Sequence, residues 1–278
     1  NKGLYKIYYT VKKFERGVIM SLVLTEIKEN IGCITLNNPR KRNAFSEELL
    51  GDMLSAIADF EQKKIPVVVL RAEKNAKVWS AGHDVTELPK SRRDPLPYYS
   101  PLEKALRVVQ YYPGAVIAMV QGGVWGGACD LVITCDMIIG DPTCTFAITP
   151  VKLGLPYNPT GILHFITRLG INIAKEMFFT ADPVPAEKAE KWGILNHLVP
   201  TEELENFTFN IARTIASRSP LAIGVIKEQF RILCDAHPIT PETFERMQGL
   251  RRKVYDSHDY TEGINAFLEK RTPVFRGE

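Results

Sequence analysis

Regular alternation of apolar and polar positions starts at Val23. Val23 to Ile27 and Gly32 to Leu36, separated by Lys28-Glu29-Asn30, predict an opening β-hairpin. Ser46 is placed to cap a helix behind which Leu49, Leu50, Met53, Leu54, Ile57 and Ala58 recur with a helical period. Pro66 closes that region, and Val67-Val68-Val69-Leu70 follows as an all-apolar run of strand length. Such a run predicts a strand covered on both faces.

The pattern then repeats. A helix over Leu102 to Tyr112 stops at Pro113 and leads into a second buried strand, Ala115 to Val120. A third helix opens at Gly126 and runs towards Cys135, before a strand at Met137 to Gly140. Strands alternating with helices predict right-handed crossovers and a largely parallel sheet, an α/β fold. Beyond about residue 200 the pattern is helical, with helices expected over 201–217, 220–235, 241–256 and 260–270. Thr201 is read as the cap of the first, and Thr240-Pro241-Glu242 as the start of the third. Residues 20–200 are thus expected to form the α/β core, and 201–278 a helical region that makes subunit contacts.

Composition narrows the class. Apolar residues make up 45% and charged residues 24% of 278, the balance of an ordinary globular protein. No apolar run approaches the ~20 residues needed to span a bilayer, so no membrane partner is expected. The net charge of +3 is too small to imply nucleic acid. The basic clusters Lys90-Arg92-Arg93 and Arg251-Arg252-Lys253 read as solvated faces, either of which could meet a phosphate-rich ligand. The five cysteines (Cys33, Cys129, Cys135, Cys144, Cys234) form no metal-ligand spacing. They suit buried thiols in a reducing cytoplasm, and no metal site is expected. Residues 1–19, rich in Lys and Tyr, read as an upstream arm of unknown purpose, with Met20 as a candidate start.

Two glycine-bearing turns follow the two buried strands: Ser80-Ala81-Gly82-His83-Asp84 and Gly122-Gly123-Val124-Trp125-Gly126-Gly127. In a parallel sheet, ligands bind beyond the carboxyl ends of strands, where both turns fall. The second is not a dinucleotide fingerprint, because the third position from Gly122 is Val124. What it offers is a glycine pair at a helix N-terminus, where unpaired amides and the positive dipole end favour developing negative charge. Taken alone, a tight structural turn is the better account, by roughly two to one.

Together, the A-G-H-D and W-G-G-A-C-D segments resemble the crotonase (enoyl-CoA hydratase/isomerase) superfamily. The likeness extends from Leu36-Asn37-Asn38-Pro39 and Asn43-Ala44-Phe45, through Leu153-Gly154, to Ala266-Phe267-Leu268-Glu269-Lys270-Arg271. The resemblance implies a spiral of ββα units, a C-terminal helical oligomerisation region, and a homotrimer or dimer of trimers. It implies an acyl-CoA substrate, with no cofactor beyond that substrate's own coenzyme A. The backbone N–H groups of His83 and Gly127 would form an oxyanion hole, each such donor being worth about 2.7–4 kcal/mol in the transition state. The loop from Ala81 through Gly82, His83 and Asp84 to Val85 would bind the adenine. Phe267 and Lys270 would reach coenzyme A from a neighbouring subunit. His83 then acts through its backbone, and a His83–Asp84 side-chain dyad is not expected.

Hydratases of this superfamily work with two glutamates. The first position falls on Asp130, one methylene shorter, and the second on Val151, which cannot move a proton. The segments Val124-Trp125-Gly126-Gly127-Ala128, Thr149-Pro150-Val151 and Leu153-Gly154-Leu155-Pro156-Tyr157-Asn158 instead resemble the superfamily's decarboxylating members, which convert methylmalonyl-CoA to propionyl-CoA. Asp130 departs from them, since a glutamate is expected there. Decarboxylation releases its own electron pair and needs no base. Tyr157 and Thr149 would hold the leaving carboxylate, with Val151 and Trp125 as its apolar neighbours. The alternatives are an isomerase or hydratase working through Asp130, and a non-catalytic crotonase-fold module binding RNA or serving as a scaffold.

Overall fold

The computed structural model describes residues 12–13, 18–19, 21–89, 94, 96–234 and 240–277. In the N-terminal arm, β1 (Lys12–Lys13) pairs with β2 (Val18–Ile19) in antiparallel fashion. The rest of the arm and the cluster at 90–93 lie outside the described residues. The hairpin joins β3 (Val23–Lys28) to β4 (Ile31–Leu36). Its turn is Glu29-Asn30 alone, with φ of 51° and 62° at the two positions. Left-handed φ at both matches the right-handed twist of the strands, so Lys28 pairs with Ile31 instead of joining the turn.

Helix α1 (Glu47–Gln62) opens as expected, the Ser46 hydroxyl accepting the Leu49 N–H. Its buried stripe is Leu49, Leu50, Met53, Ala56, Ile57 and Phe60. Ala58 is exposed and Leu54 only half-buried, because the true stripe passes through Ala56 and Phe60. Phe60 lies flat on Gly32 of β4, where a Cβ would stand 2.6 Å from its ring.

After α1 the chain coils. One turn comprises β5 (Val67–Ala72), β6 (Val78–Ser80) and α2 (Pro101–Tyr111); the next β7 (Ala115–Val120), β8 (Gly123–Trp125) and α3 (Gly127–Thr134). The third comprises β9 (Met137–Gly140), β10 (Thr145–Ala147) and α4 (Pro159–Leu169). Each turn gives one strand to each of two sheets, the spiral of ββα units expected from the resemblance. Helices α5 (Ile171–Thr180) and α6 (Ala186–Lys191) and strands β11 (Val184–Pro185) and β12 (His197–Leu198) complete the core. The larger sheet runs β12-β9-β7-β5-β4-β3, parallel except for the opening hairpin, and the smaller runs β11-β10-β8-β6. Gly123–Trp125, read from sequence as part of a turn, is thus a strand of the smaller sheet.

The all-apolar strands are covered on both faces. Val68 and Leu70 of β5 and Val116, Ala118 and Val120 of β7 face the main core. Val67, Val69, Ala115, Ile117 and Met119 point the other way, under α7 (Leu204–Ala216) and its Leu204, Phe207, Ile211 and Ala212. This helix therefore packs directly on the larger sheet. It begins at Leu204 rather than at Thr201, whose hydroxyl donates to Asp141 at 2.8 Å instead of capping.

Three helices follow: α8 (Pro220–Cys234), α9 (Pro241–Tyr255), which Thr240 caps as expected, and α10 (His258–Leu268), capped by Ser257. Nothing on α8 is buried. Its Leu221 (80% exposed), Phe230 (65%) and Leu233 (71%) face outward, and Cys234 is exposed where a buried thiol was expected. The helix is tethered by Lys227, which donates to the carbonyls of Val109 and Gly114 and to Asp136. Among the described residues, no helix is long and apolar enough to cross a membrane.

The tail after α10 is tied back by two carboxylates. Glu262 accepts from the Arg271 guanidinium (2.6 and 2.8 Å) and from Val274 N (2.8 Å), while Asp259 accepts from Arg276 N and Gly277 N. The Arg271 bonds, then the Val274 amide, hold the Glu262 carboxyl down from 4.5 to about 2. A depressed acid contributes stability above its ordinary value and loses it as pH falls through the folded one. Acidification from 4.5 towards 2 should therefore release the tail, read as faster hydrogen exchange at Val274 while amides of β5 and β7 stay protected.

Candidate active site

The loop after β6 is braced from below by the segment between β4 and α1. Arg42 and Asn43 both adopt left-handed φ, 53° and 50°. This turns the Asn43 amide inward, where it donates to Trp79 O (3.0 Å) while its oxygen accepts from Asn38 N (2.8 Å). Ser80 donates to Asn43 O and accepts from Gly82 N, and Ala81 N donates to Arg42 O. Phe45 and His83 form a parallel bridge in which Phe45 N donates to Gly82 O and Asp84 N to Phe45 O. In such a bridge the N–H of His83 must point away from Phe45, to the opposite side.

On that side stands the second turn. Gly82 has φ +81°, and a Cβ there would collide with Trp125 O and stand 2.9 Å from Gly127 N. Reciprocally, the Cβ position of Gly127 lies 3.7 Å from His83 N. Gly126 (φ 55°) turns the chain into α3, so that Gly127 is its first residue and carries an N–H that the helix cannot use. Neither His83 N nor Gly127 N donates to any described residue. Two unspent amides therefore stand side by side at the positive end of a helix, an arrangement that can hold one anionic oxygen.

The His83 imidazole takes no part in a dyad. Asp84 accepts from Thr86 and from Lys41 (2.9 Å), and these bonds overcome burial to hold its carboxyl below the usual range. Burial lowers the His83 pKa, keeping the ring neutral at pH 7, and its buried Nδ1 has no partner among the described residues.

One helical turn beyond Gly127, the Asp130 side chain is 1% exposed. Tyr157 donates to its Oδ2 at 2.8 Å, and His164 Nδ1 lies 2.7 Å from its Oδ1. Gln110 Nε2 is 2.8 Å from the other ring nitrogen of His164. Gly161 makes room for this convergence, since a Cβ there would stand 2.6 Å from Asn158 Oδ1 and 2.7 Å from Asp130 Oδ2 and would overlap the Tyr157 ring. A second buried carboxyl, Glu103, accepts from Asn158 and Thr160 and lies 3.6 Å from Arg107. Burial, then the charge of Asp130, raises the Glu103 pKa; the same two causes push the Tyr157 phenol well above its usual value.

The sequence profile of the enoyl-CoA hydratase/isomerase family matches residues 26–278. The chain belongs to that family. Methylmalonyl-CoA decarboxylase of Escherichia coli (strain K12) is 49% identical over 247 residues, covering 89% of this chain and 95% of that protein. A solved methylmalonyl-CoA decarboxylase in complex with 2-nitronate-propionyl-CoA superposes with a TM-score of 0.91 at 47% identity, covering 92% of this chain and 99% of the other. Human enoyl coenzyme A hydratase domain-containing protein 3 superposes at 0.68 with 30% identity, covering 91% and 100%.

The enoyl-CoA hydratase/isomerase fold brings together His83, Gly127, Asp130 and Tyr157, and sets Thr149 beside them, its hydroxyl 3.2 Å from the Cβ position of Gly126. Val151 is exposed (44%) on the short helical turn 150–153, and Trp125 is half-buried. Val85 packs with Leu88, Tyr260 and Ile264, so α10 reaches the first loop. Phe267 and Lys270, farther along, point outward. Sequence reading missed Glu103, Gln110, Asn158, Gly161 and His164. Asn158 before Pro159 is a legible helix cap, but nothing local announces the other four. Among the described residues no group of three His, Cys, Asp or Glu side chains is placed to hold a metal. A groove of ≈ 760 Å³ along Glu26, Thr35, Arg71 and Glu205 lies elsewhere, and its guanidinium is already paired with Glu205.

Gly161→Ala should force Tyr157 from Asp130. The expected result is a loss of about 1–3 kcal/mol in unfolding free energy, as for other overpacked cores, together with most of the activity. Calorimetry and turnover of the purified variant would read both.

Proposed function

We propose that this chain decarboxylates a malonyl-type acyl-CoA, methylmalonyl-CoA in the first instance, giving propionyl-CoA. The observation that carries this is the pair of unspent amides at His83 and Gly127, supported by the 49% identity with a methylmalonyl-CoA decarboxylase. The thioester oxygen accepts from both N–H groups. The bond from the α-carbon to the carboxylate breaks, its electron pair enters the enolate, and CO2 leaves. The α-carbon then takes a proton. At about 2.7–4 kcal/mol per donor, the amides lower the barrier by holding charge where it accumulates.

Tyr157 and Thr149 hold the substrate carboxylate out of the thioester plane, so that the breaking bond overlaps the carbonyl. Val151 and Trp125 supply its apolar surroundings. Two-carboxylate hydration is disfavoured: Val151 stands at the second position, and Glu103 is committed to Asn158, Thr160 and Arg107. The 81–85 loop takes the adenine, and the only coenzyme used is the substrate's own coenzyme A. Phe267 and Lys270 serve a neighbouring subunit's ligand in a trimer or dimer of trimers, for which the bare apolar face of α8 supplies the contact. The free thiols suit the reducing cytoplasm.

Incubation with methylmalonyl-CoA, malonyl-CoA and crotonyl-CoA separately, followed by mass, tests the reaction. Propionyl-CoA should form from the first and no hydrated product from the third; rapid hydration of crotonyl-CoA would refute the assignment. Tyr157→Phe should slow decarboxylation at least tenfold, the loss of about 1.4 kcal/mol. For assembly, Phe230→Glu on α8 should reduce the mass seen by light scattering to that of a single chain.

A further inference from the structure

The protons of the buried chain behind the site can be counted. An amide nitrogen only donates, so with Gln110 Nε2 at 2.8 Å the Nε2 of His164 is an acceptor. The ring proton therefore sits on Nδ1 and points at Asp130 Oδ1, 2.7 Å away. The other carboxylate oxygen, Oδ2, accepts the Tyr157 hydroxyl at 2.8 Å. Both carboxylate oxygens of Asp130 thus accept from neighbours, and the single proton of Tyr157 is spent on it. Thr134 adds no charge, its hydroxyl donating to Asp130 O and lying 3.4 Å from His164 Nδ1.

The other described groups that pack near Asp130 are engaged elsewhere or carry no positive charge. From α2, Glu103 is a second acid, and Arg107 is turned to Glu103. From α3 itself, Cys129 is a buried thiol. From α4 comes His164, and from the preceding loop Tyr157. A substrate carboxylate arriving at Tyr157 would thus face a hydroxyl lone pair with the Asp130 charge behind it, a repulsive arrangement in a site of low polarity.

We propose that the malonyl carboxylate enters together with one proton, which lodges on the His164–Asp130 pair and frees the Tyr157 hydroxyl to turn to the substrate. This rests on the reading that Tyr157 holds the carboxylate. His164 is then a positioning residue, acting through Asp130. An imidazole is the side chain that most readily takes a proton near neutral pH, and Gln110 can present its amide oxygen to an Nε2–H so formed. The stoichiometry is apt: decarboxylation of an anionic substrate to CO2 and a neutral thioester consumes one proton, and uptake on binding brings it into the site before the enolate exists.

The test is calorimetric titration of the whole protein in buffers of different ionisation enthalpy. Two unreactive thioethers serve as probes, carboxypropyl-CoA and propyl-CoA, the second lacking the carboxylate. Above neutral pH, carboxypropyl-CoA should take up close to one proton more than propyl-CoA. Its Kd should rise with pH, approaching about tenfold per unit at the alkaline limit. In Asp130→Asn the extra uptake should vanish and the Kd become flat with pH. In His164→Gln the uptake should fall and the carboxylate probe should bind at least tenfold more weakly, with propyl-CoA affinity unchanged. Equal proton counts for the two probes in the wild type, while Tyr157→Phe still weakens carboxypropyl-CoA, would overturn the uptake and leave the reading of Tyr157 intact. An unchanged Kd for carboxypropyl-CoA in Tyr157→Phe would overturn both.

Discussion

Everything at this site depends on two stretches of bare backbone coming closer than side chains would allow. Gly82 lies against the Trp125 carbonyl and Gly127 N, and Gly127 faces His83 N. Any Cβ at Gly82 would wedge the two loops apart, and the residue's φ of +81° already excludes most others. The chemistry thus resides in main-chain atoms whose placement is decided by what is missing from the side chains. The rest of the molecule is arranged to bring these two turns together. The smaller sheet sets β6 beside β8, and the strands of the larger sheet, buried on both faces, keep that framework stiff.

The braces around the loops have separate jobs. Asn43, Phe45 and Ser80 fix the direction of the first loop through a closed set of backbone bonds. Asp84, which sequence proximity would pair with His83, ends the loop by capping a short turn and pairing with Lys41. Behind the second loop, the Asp130 network is largely buried, where hydrogen bonds are strong and unpaired groups costly. Asp130, one methylene shorter than a glutamate, engages Tyr157 and His164.

Much of this was legible in the chain. The all-apolar runs at Val67 and Ala115 gave doubly covered strands, Ser46 and Thr240 gave helix starts, and the family resemblance pointed to the amides of His83 and Gly127. What escaped did so for physical reasons. Strands β6, β8 and β10 are three residues long, too short to display a period of two, so Gly123–Trp125 looks like part of a turn. Glu103 follows Ser100 by three residues, the spacing of a capping box, yet its side chain leaves the cap for Asn158 and Thr160. His164 sits mid-helix and meets Asp130 and Gln110 only through the packing of α4 on its neighbours. Thr201 has the form of a cap and is spent on Asp141. Short-range rules assign such side chains a local partner, and tertiary structure supplies a better one.

The order of strands carries one further consequence. In the larger sheet, β3, β4, β5, β7, β9 and β12 are neighbours in the sequence in which they are made, and β6, β8, β10 and β11 follow the same order in the smaller. No strand has to be threaded between two already placed. Both sheets can therefore grow at a single edge as synthesis proceeds, each coil docking on a finished one, which keeps loop closures short and the exposed edge brief. Only the closing helices break this rule, when Tyr255, Tyr260 and Ile264 return to Val85 and Leu88. The first loop of the site thus receives its last cover from helices made long after it.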